Sequence, residues 1–360
     1  MGLRPVPFRS PALRWLDASC KHPSEDTTVT TALVIGAGGQ IGSDLIPALA
    51  QKGYDVHMFD LRPVEETAAA ENLAEQLSHI PDWRDRWTTG DAASEDLTRC
   101  IESLKPDMVF HLAALLSATG EAKPGLCWDV NMGSLRRVID SLAKQPDRPK
   151  LLWPSSIAAF GPLPEGPAYG AYNAVPNEFP LLPTTMYGVT KVAGELYGAY
   201  AAQTMGVDFR SVRFPGLLSA TEPGGGSSDY ANEMYFAAAR GQSTVEVFVR
   251  EDTRIPFMHM TDAVAALLGL AAADEAKLTR RTYNVSAFAP TAEQIAASIH
   301  GAGLTLDVAY VPDHRQAFVD SWPDDIDDSR ARLDWGWTPS LDLAGTTERL
   351  LSEIAALLTA

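Results

Sequence analysis

Between an apolar run of strand formers, Thr31-Ala-Leu-Val-Ile35, and a stretch from Ile41 to Leu49 with apolar residues at helical spacing lies the turn Gly36-Ala-Gly-Gly39-Gln40-Ile41-Gly42. Strand, tight glycine turn and helix in that order open a doubly wound parallel sheet, and no other feature narrows the fold as far. Glycines are needed there because the chain must turn sharply, bring backbone N–H groups against a pyrophosphate, and pack the helix close to the sheet. The next strand, Tyr54 to Asp60, ends in a carboxylate eighteen residues beyond Gly42, where it can accept hydrogen bonds from an adenosine ribose. The same charge repels a 2′-phosphate, which favours NAD over NADP. Arg62 pulls the other way, since a nearby arginine can accommodate that phosphate.

Trp87 to Asp91 and Met108 to Ala114 read as two further strands. Ligands of an open parallel sheet lie beyond the carboxyl ends of its strands, so Asp91 is expected to meet the adenine and Leu112, Ala113 and Ala114 to pass beneath the cofactor. A fifth strand, Lys150 to Ser156, delivers two hydroxyls at the same edge, where Thr185-Met-Tyr187 opens a helix. Tyr187 and Lys191 are four apart and share a helix face. A phenol with a pKa of about 10 is a poor base at neutral pH, and an adjacent ammonium is expected to lower that value by about 1–3. The arrangement therefore reads as hydride transfer from an alcohol to a nicotinamide. Tyr187 takes the proton, Lys191 assists it and binds nicotinamide ribose hydroxyls, and Ser156 hydrogen-bonds the reacting oxygen.

Longer strings carry a closer likeness: His111-Leu-Ala-Ala-Leu-Leu-Ser117-Ala-Thr-Gly-Glu121, Trp153-Pro-Ser-Ser-Ile-Ala158, Arg213-Phe-Pro-Gly216-Leu-Leu-Ser219, Pro223-Gly-Gly-Gly-Ser-Ser-Asp229-Tyr-Ala231 and Asp320-Ser-Trp322-Pro323. From about residue 31 to its end the chain resembles an extended short-chain dehydrogenase/reductase of the nucleotide-sugar epimerase type, and more closely the L-threonine 3-dehydrogenases of that superfamily. The resemblance implies oxidation of L-threonine to L-2-amino-3-oxobutanoate with NAD as acceptor and no metal. It implies Ser117, Ser156 and Thr185 as substrate contacts beside Tyr187, and Asn131 among the cofactor contacts. Pro215, Gly216 and Leu217 would form the loop lining the nicotinamide and amino-acid pocket. Trp322 would close over the site or, equally, be an aromatic buried between domains. The helices expected at 124–145 and 185–205 pair with their copies in a second subunit in that superfamily, so a homodimer is implied.

A chain of 360 residues with 46% hydrophobic content can bury a core as one nucleotide-binding domain and a smaller substrate domain. The expected layout is α/β: a Rossmann-type doubly wound parallel sheet over residues 31–216, then a substrate-binding cap over 217–360 with segments around 259–285 returning to the sheet. No apolar run reaches membrane-spanning length, and a formal charge of −17 makes nucleic acid or an anionic membrane a poor partner. Cys20, Cys100 and Cys127 lack C-x-x-C spacing, which argues against a disulfide framework and a structural zinc. His57 and His111 read as structural. Residues 1–30 fall outside the resemblance. Arg4, Arg9 and Arg14 without an acid suggest a transit peptide and hence a mitochondrial matrix location, whereas Pro5, Pro7 and Pro11 would break its helix and favour a cytoplasmic protein with a disordered tail. The run Gly224-Gly225-Gly226 reads as a hinge or a mobile surface loop. Two other functions are compatible with the residues: a nucleotide-sugar epimerase or dehydratase, and a non-catalytic NAD-binding sensor.

Overall fold

The computed structural model describes residues 29–163, 174–224 and 226–359. Most of the N-terminal extension, Cys20 and the central glycine of the expected hinge therefore lie outside the described residues. Strands β1 (Thr31–Ile35), β2 (Asp55–Asp60), β3 (Trp87–Thr89), β4 (Met108–His111), β5 (Lys150–Ser156) and β6 (Asp208–Phe214) join Thr282–Asn284 in one seven-stranded sheet. The order is Thr282–Asn284, β6, β5, β4, β1, β2, β3, and every pairing is parallel. This is the expected doubly wound α/β sheet. The chain builds outward from β1 to β3, then returns to β1's other side with β4, so a crevice opens beyond the ends of β1 and β4.

Strands covered on both faces can carry apolar residues at successive positions, as Ala32 to Ile35 and Met108 to Phe110 do. Alternate residues point to opposite faces. Ala32, Val34, Met58, Phe110, Leu152 and Val212 pack with the helices Gln40–Gln51 and Met260–Ala272. Leu33, Ile35, Phe59, Val109, Leu151 and Phe209 pack with Ile101, Leu135 and Ile139 on the other side. A third cluster forms the cap, where Leu218, Tyr230, Phe248, Phe257, Ile295 and Trp322 come together. The helix Leu343–Thr359 adds Leu350 and Ile354 to it.

Several boundaries differ from the sequence reading for identifiable reasons. β4 stops at His111, because the N–H groups of Leu112 and Ala113 both turn onto the Ile35 carbonyl at 2.8 and 3.1 Å. β3 stops at Thr89, and Asp91 folds into an exposed turn by accepting the Ala93 N–H at 2.8 Å. The first helix runs to Gln51 through Pro47. Proline has no N–H for the carbonyl four residues back, and that carbonyl, on Ser43, is taken instead by Asn72 Nδ2 at 2.8 Å. The helix expected at 124–145 is Pro124–Trp128, a π-helical Asp129–Gly133, and Ser134–Leu142.

Candidate active site

The glycine turn sits at the crevice, and two of its glycines are dictated by their surroundings. Gly36 has φ +80°, and a Cβ there would lie 2.6 Å from the backbone nitrogen of Ala113. A Cβ on Gly42 would lie 2.4 Å from the Ala37 carbonyl oxygen. Gly39 is the extended residue before the helix Gln40–Gln51 and supplies no side-chain cap, so N–H groups of the first turn remain for an anion. Asp60, buried at the end of β2, accepts the Gly38 N–H at 2.9 Å and the Arg62 N–H at 3.2 Å. An ionised carboxylate has about four acceptor positions, so capacity for ribose hydroxyls remains. A cradle closed to side chains, an uncapped helix start and a buried carboxylate together fit a dinucleotide. Ile41 packs against the core below this turn, and Gln40 Nε2 reaches across to Ser219 Oγ of the cap at 2.5 Å. Ala113 packs against the sheet, with Ala114 next to it at the crevice.

Asn131 differs from its expected part. Its Oδ1 accepts the Leu115 N–H at 2.8 Å, and its Nδ2 donates to the Leu115 carbonyl at 3.2 Å and to Thr190 Oγ1 at 3.0 Å. Its polar atoms are occupied in pinning the loop after β4 to the helix Met186–Thr204. It shapes the crevice wall from behind.

Ser156, Tyr187 and Lys191 do converge. Thr185 caps the helix by accepting the Gly188 N–H on Oγ1 at 3.1 Å, and Glu121 accepts the Met186 N–H, which fixes where the helix begins. Tyr187, partly buried, hydrogen-bonds Ser156 at the end of β5. One turn on, buried Lys191 donates from Nζ to the Pro154 carbonyl at 2.6 Å and lies 4.3 Å from the Trp153 ring centre. The expected electrostatics are overturned. Burial pushes the Tyr187 phenol up to about 12, against the Ser156 hydrogen bond that lowers it. Burial pushes the Lys191 amine down to about 7, against the attraction of Glu195. Desolvation disfavours the charged form of each group and outweighs the Ser156 hydrogen bond on one and the Glu195 charge on the other.

Ser117, buried at the start of the helix Ser117–Ala122, meets Ser227 of the cap, Oγ to Oγ, at 2.9 Å. Gly216 and Leu217 lie in the short strand Gly216–Leu218, directly after buried Pro215. Trp322 is buried in the cap core, with no partner for Nε1 among the described residues. Gly216 has a packing reason to be glycine: an added Cβ would lie 2.4 Å from Phe257, itself packed edge-on against Tyr230. Gly216→Ala is therefore expected to lower unfolding stability by about 1–3 kcal/mol in urea titrations. Unchanged stability would show that Phe257 moves freely. His111 is buried and held neutral, its pKa pushed down to about 3 by burial, and His57 pairs with Asp55 at 3.2 Å. Both match the structural part expected of them.

Sequence reasoning passed over Glu195 and gave Arg213 no role of its own. Glu195 continues the four-residue spacing of Tyr187 and Lys191 and is buried, which was the available signal. Among the described residues no group of three or more His, Cys, Asp or Glu is placed to hold a metal, and no helix is long and apolar enough to cross a membrane.

The model of the NAD dependent epimerase/dehydratase family matches residues 32–286. An uncharacterised epimerase/dehydratase of Staphylococcus haemolyticus is 41% identical over 331 residues, covering 89% of this chain and 96% of the relative. Among solved structures, the holo form of a GalE-like L-threonine dehydrogenase from Cupriavidus necator superposes with a TM-score of 0.78 at 37% identity, over 91% of this chain and 99% of that one. A monomeric L-threonine 3-dehydrogenase from a metagenome gives 0.79 at 36% identity, with the same coverage.

Proposed function

The chain belongs to the NAD dependent epimerase/dehydratase family, and from that premise we propose that it oxidises L-threonine at its secondary alcohol to L-2-amino-3-oxobutanoate. The observation that carries this reading is the Ser156–Tyr187–Lys191 set at the crevice, with the short hydroxyls of Ser117 and Ser227 paired where the cap meets the sheet edge. A β-hydroxy amino acid puts an ammonium and a carboxylate next to the reacting carbon and needs small donors and acceptors in a small space. Ser117, Thr185 and the Gly216–Leu217 backbone are of that kind, and the similarity to L-threonine dehydrogenases supports the same substrate.

NAD, when bound, supplies the hydride acceptor. Gly36, Gly39 and Gly42 would admit its pyrophosphate, Asp60 its adenosine ribose and Lys191 its nicotinamide ribose. Ser156 would donate to the substrate oxygen, and Tyr187, once its own proton has passed to the Lys191 amine, would receive the hydroxyl proton as the carbon gives up its hydride. Excluding water from the crevice beside Ser117 and Ser227 would strengthen every polar contact inside. Exposed Trp128, Val189, Leu196 and Tyr200 lie on the two helices expected to pair, and support a homodimer that light scattering would detect.

The test is NADH formation with NAD and, separately, L-threonine, D-threonine, L-allo-threonine, L-serine, UDP-glucose and UDP-galactose. Activity confined to L-threonine supports the reading. Silence on the amino acids together with interconversion of the UDP sugars overturns it in favour of an epimerase. Asp60→Ala is expected to weaken NAD binding by about 1.5–3 kcal/mol, the scale of a hydrogen bond to a charged group, and to relax discrimination against NADP. Unchanged selectivity in paired NAD and NADP titrations would remove Asp60 from the ribose site.

A further inference from the structure

We propose that Glu195, anchored by Arg213 and Ser155, is a positioning residue that holds Lys191 in register with Tyr187 and supplies the negative charge its amine faces. This rests on the catalytic reading of Tyr187 and Lys191, and goes beyond it in naming what governs the lysine.

The geometry is a ladder between β5 and the helix Met186–Thr204. Ser156 bonds Tyr187, the Pro154 carbonyl receives Lys191 Nζ at 2.6 Å, and Ser155 Oγ donates to Glu195 Oε1 at 2.5 Å. The end of the strand, Pro154 to Ser156, thus engages one helix face at Tyr187, Lys191 and Glu195. A sideways or axial shift of that helix would break all three contacts at once. The carboxylate is fully engaged on its far side: Oε1 accepts Arg213 Nε at 2.9 Å and Oε2 accepts Arg213 Nη2 at 2.7 Å. Arg213 Nη1 continues to the Asn177 carbonyl at 2.9 Å and Asn284 Oδ1 at 3.2 Å, and its guanidinium lies 4.8 Å from the Phe160 ring centre. Arg213 is two residues before Pro215, so the same pair ties the catalytic helix to the loop that carries Gly216 and Leu217.

A buried ion pair is weak evidence for a stabilising role, because desolvation offsets its attraction. Its position next to the lysine gives it another use. The groups facing Lys191 are Tyr187 and Glu195 from its own helix, Cys127 from the helix Pro124–Trp128, and neutral His111 from β4. Of these only Glu195 carries a charge opposite to an ammonium in the neutral range. With Tyr187 and Lys191 both neutral, the pair holds as many protons as a phenolate beside an ammonium. Moving one proton within the pair creates the base without exchange with solvent, and Glu195 favours that arrangement.

The experiment is the NMR titration of Lys191 in protein labelled at lysine Cε with carbon-13, assigned with a Lys191→Met sample, together with steady-state kinetics. Glu195→Gln, nearly isosteric, is expected to lower the Lys191 midpoint by at least one pH unit. It is also expected to cut kcat tenfold or more, while KM for L-threonine stays within threefold. Arg213→Met leaves the carboxylate without its counter-charge and is expected to move the midpoint upward. A purely structural pair would move neither midpoint, or both in one direction, and that result in a folded variant overturns the proposal. If one variant fails to fold, the direction seen in the other decides. A wild-type protein that does not oxidise L-threonine would remove the proposed substrate, and the opposed lysine shifts would still be read without it.

Discussion

Tyr187→Phe is expected to reduce kcat for L-threonine oxidation by roughly 10³-fold or more, the upper part of the 10²–10⁴ range for positioned proton transfer. NAD affinity, measured by titration, is expected to stay within a few-fold. The substitution removes one oxygen and leaves a ring of the same shape in a partly buried site packed against the cap core. Ser156 loses the phenol but keeps the Ala158 N–H, which its Oγ accepts at 3.2 Å, so the stability change stays within about 1 kcal/mol. The effect is therefore confined to the chemical step. Near-normal turnover in the phenylalanine variant would mean that another group takes the proton. The upward displacement of the phenol to about 12 makes the expected loss larger rather than smaller. A base this strong, when it does form, is a good acceptor for an alcohol proton, and nothing else mapped at the crevice edge matches it.

The parts of this fold that were legible are those in which one local cause decides the outcome. The apolar run to Ile35 followed by glycines forces a strand and a tight turn, and β1 and β5 begin and end where the residues say they do. Tyr187 and Lys191 were legible as a pair because helical spacing is a local property. What was not legible depended on competition between distant groups. The end of β4 is set by the Ile35 carbonyl capturing two N–H groups from another strand, which no reading of Met108 to Ala114 alone could reveal. Asn131 was read as a cofactor contact, yet its amide is consumed by Leu115 and Thr190, residues near in space and far apart in the chain. The sign of the tyrosine shift failed for the same reason. Proximity to an ammonium is visible in the spacing, whereas the burial that depresses that ammonium appears only when β4, β5 and the helix Pro124–Trp128 close around it.

That burial leads to the second large effect, in which the site and the stability of the fold pull in opposite directions. The unfolded chain holds lysine at a pKa of about 10.4, and the folded chain holds Lys191 near 7, pushed down first by burial. For a base whose folded value is depressed, the unfolded state binds more protons between those two values. Stability therefore rises with pH across that window, by at most about 1.4 kcal/mol per pH unit, and the cost of the buried cation is fully present below pH 7. Lys191→Met keeps the aliphatic stem and removes the charge. In cofactor-free protein at pH 6 it is expected to raise the urea unfolding free energy by about 3 kcal/mol. The gain is expected to shrink towards pH 8.5 as the wild-type lysine sheds its proton. Cys100 and Cys127, both raised by burial, act above that range; Cys127 and His111 also feel the Lys191 charge, so the difference between variants reads Lys191 together with that coupling. The same variant is expected to lose turnover by at least two orders of magnitude and to bind NAD more weakly, since the ammonium is what Tyr187 and the ribose both use. A variant equally stable or less stable at pH 6 would mean that Lys191 is neutral or well solvated in the resting protein. The account of a lysine held at the edge of its charged state by Glu195 would then fail with it. A protein that becomes more stable on losing its own lysine would show that the fold tolerates this charge for its chemistry, which is how a stability–activity conflict is expected to look at one residue.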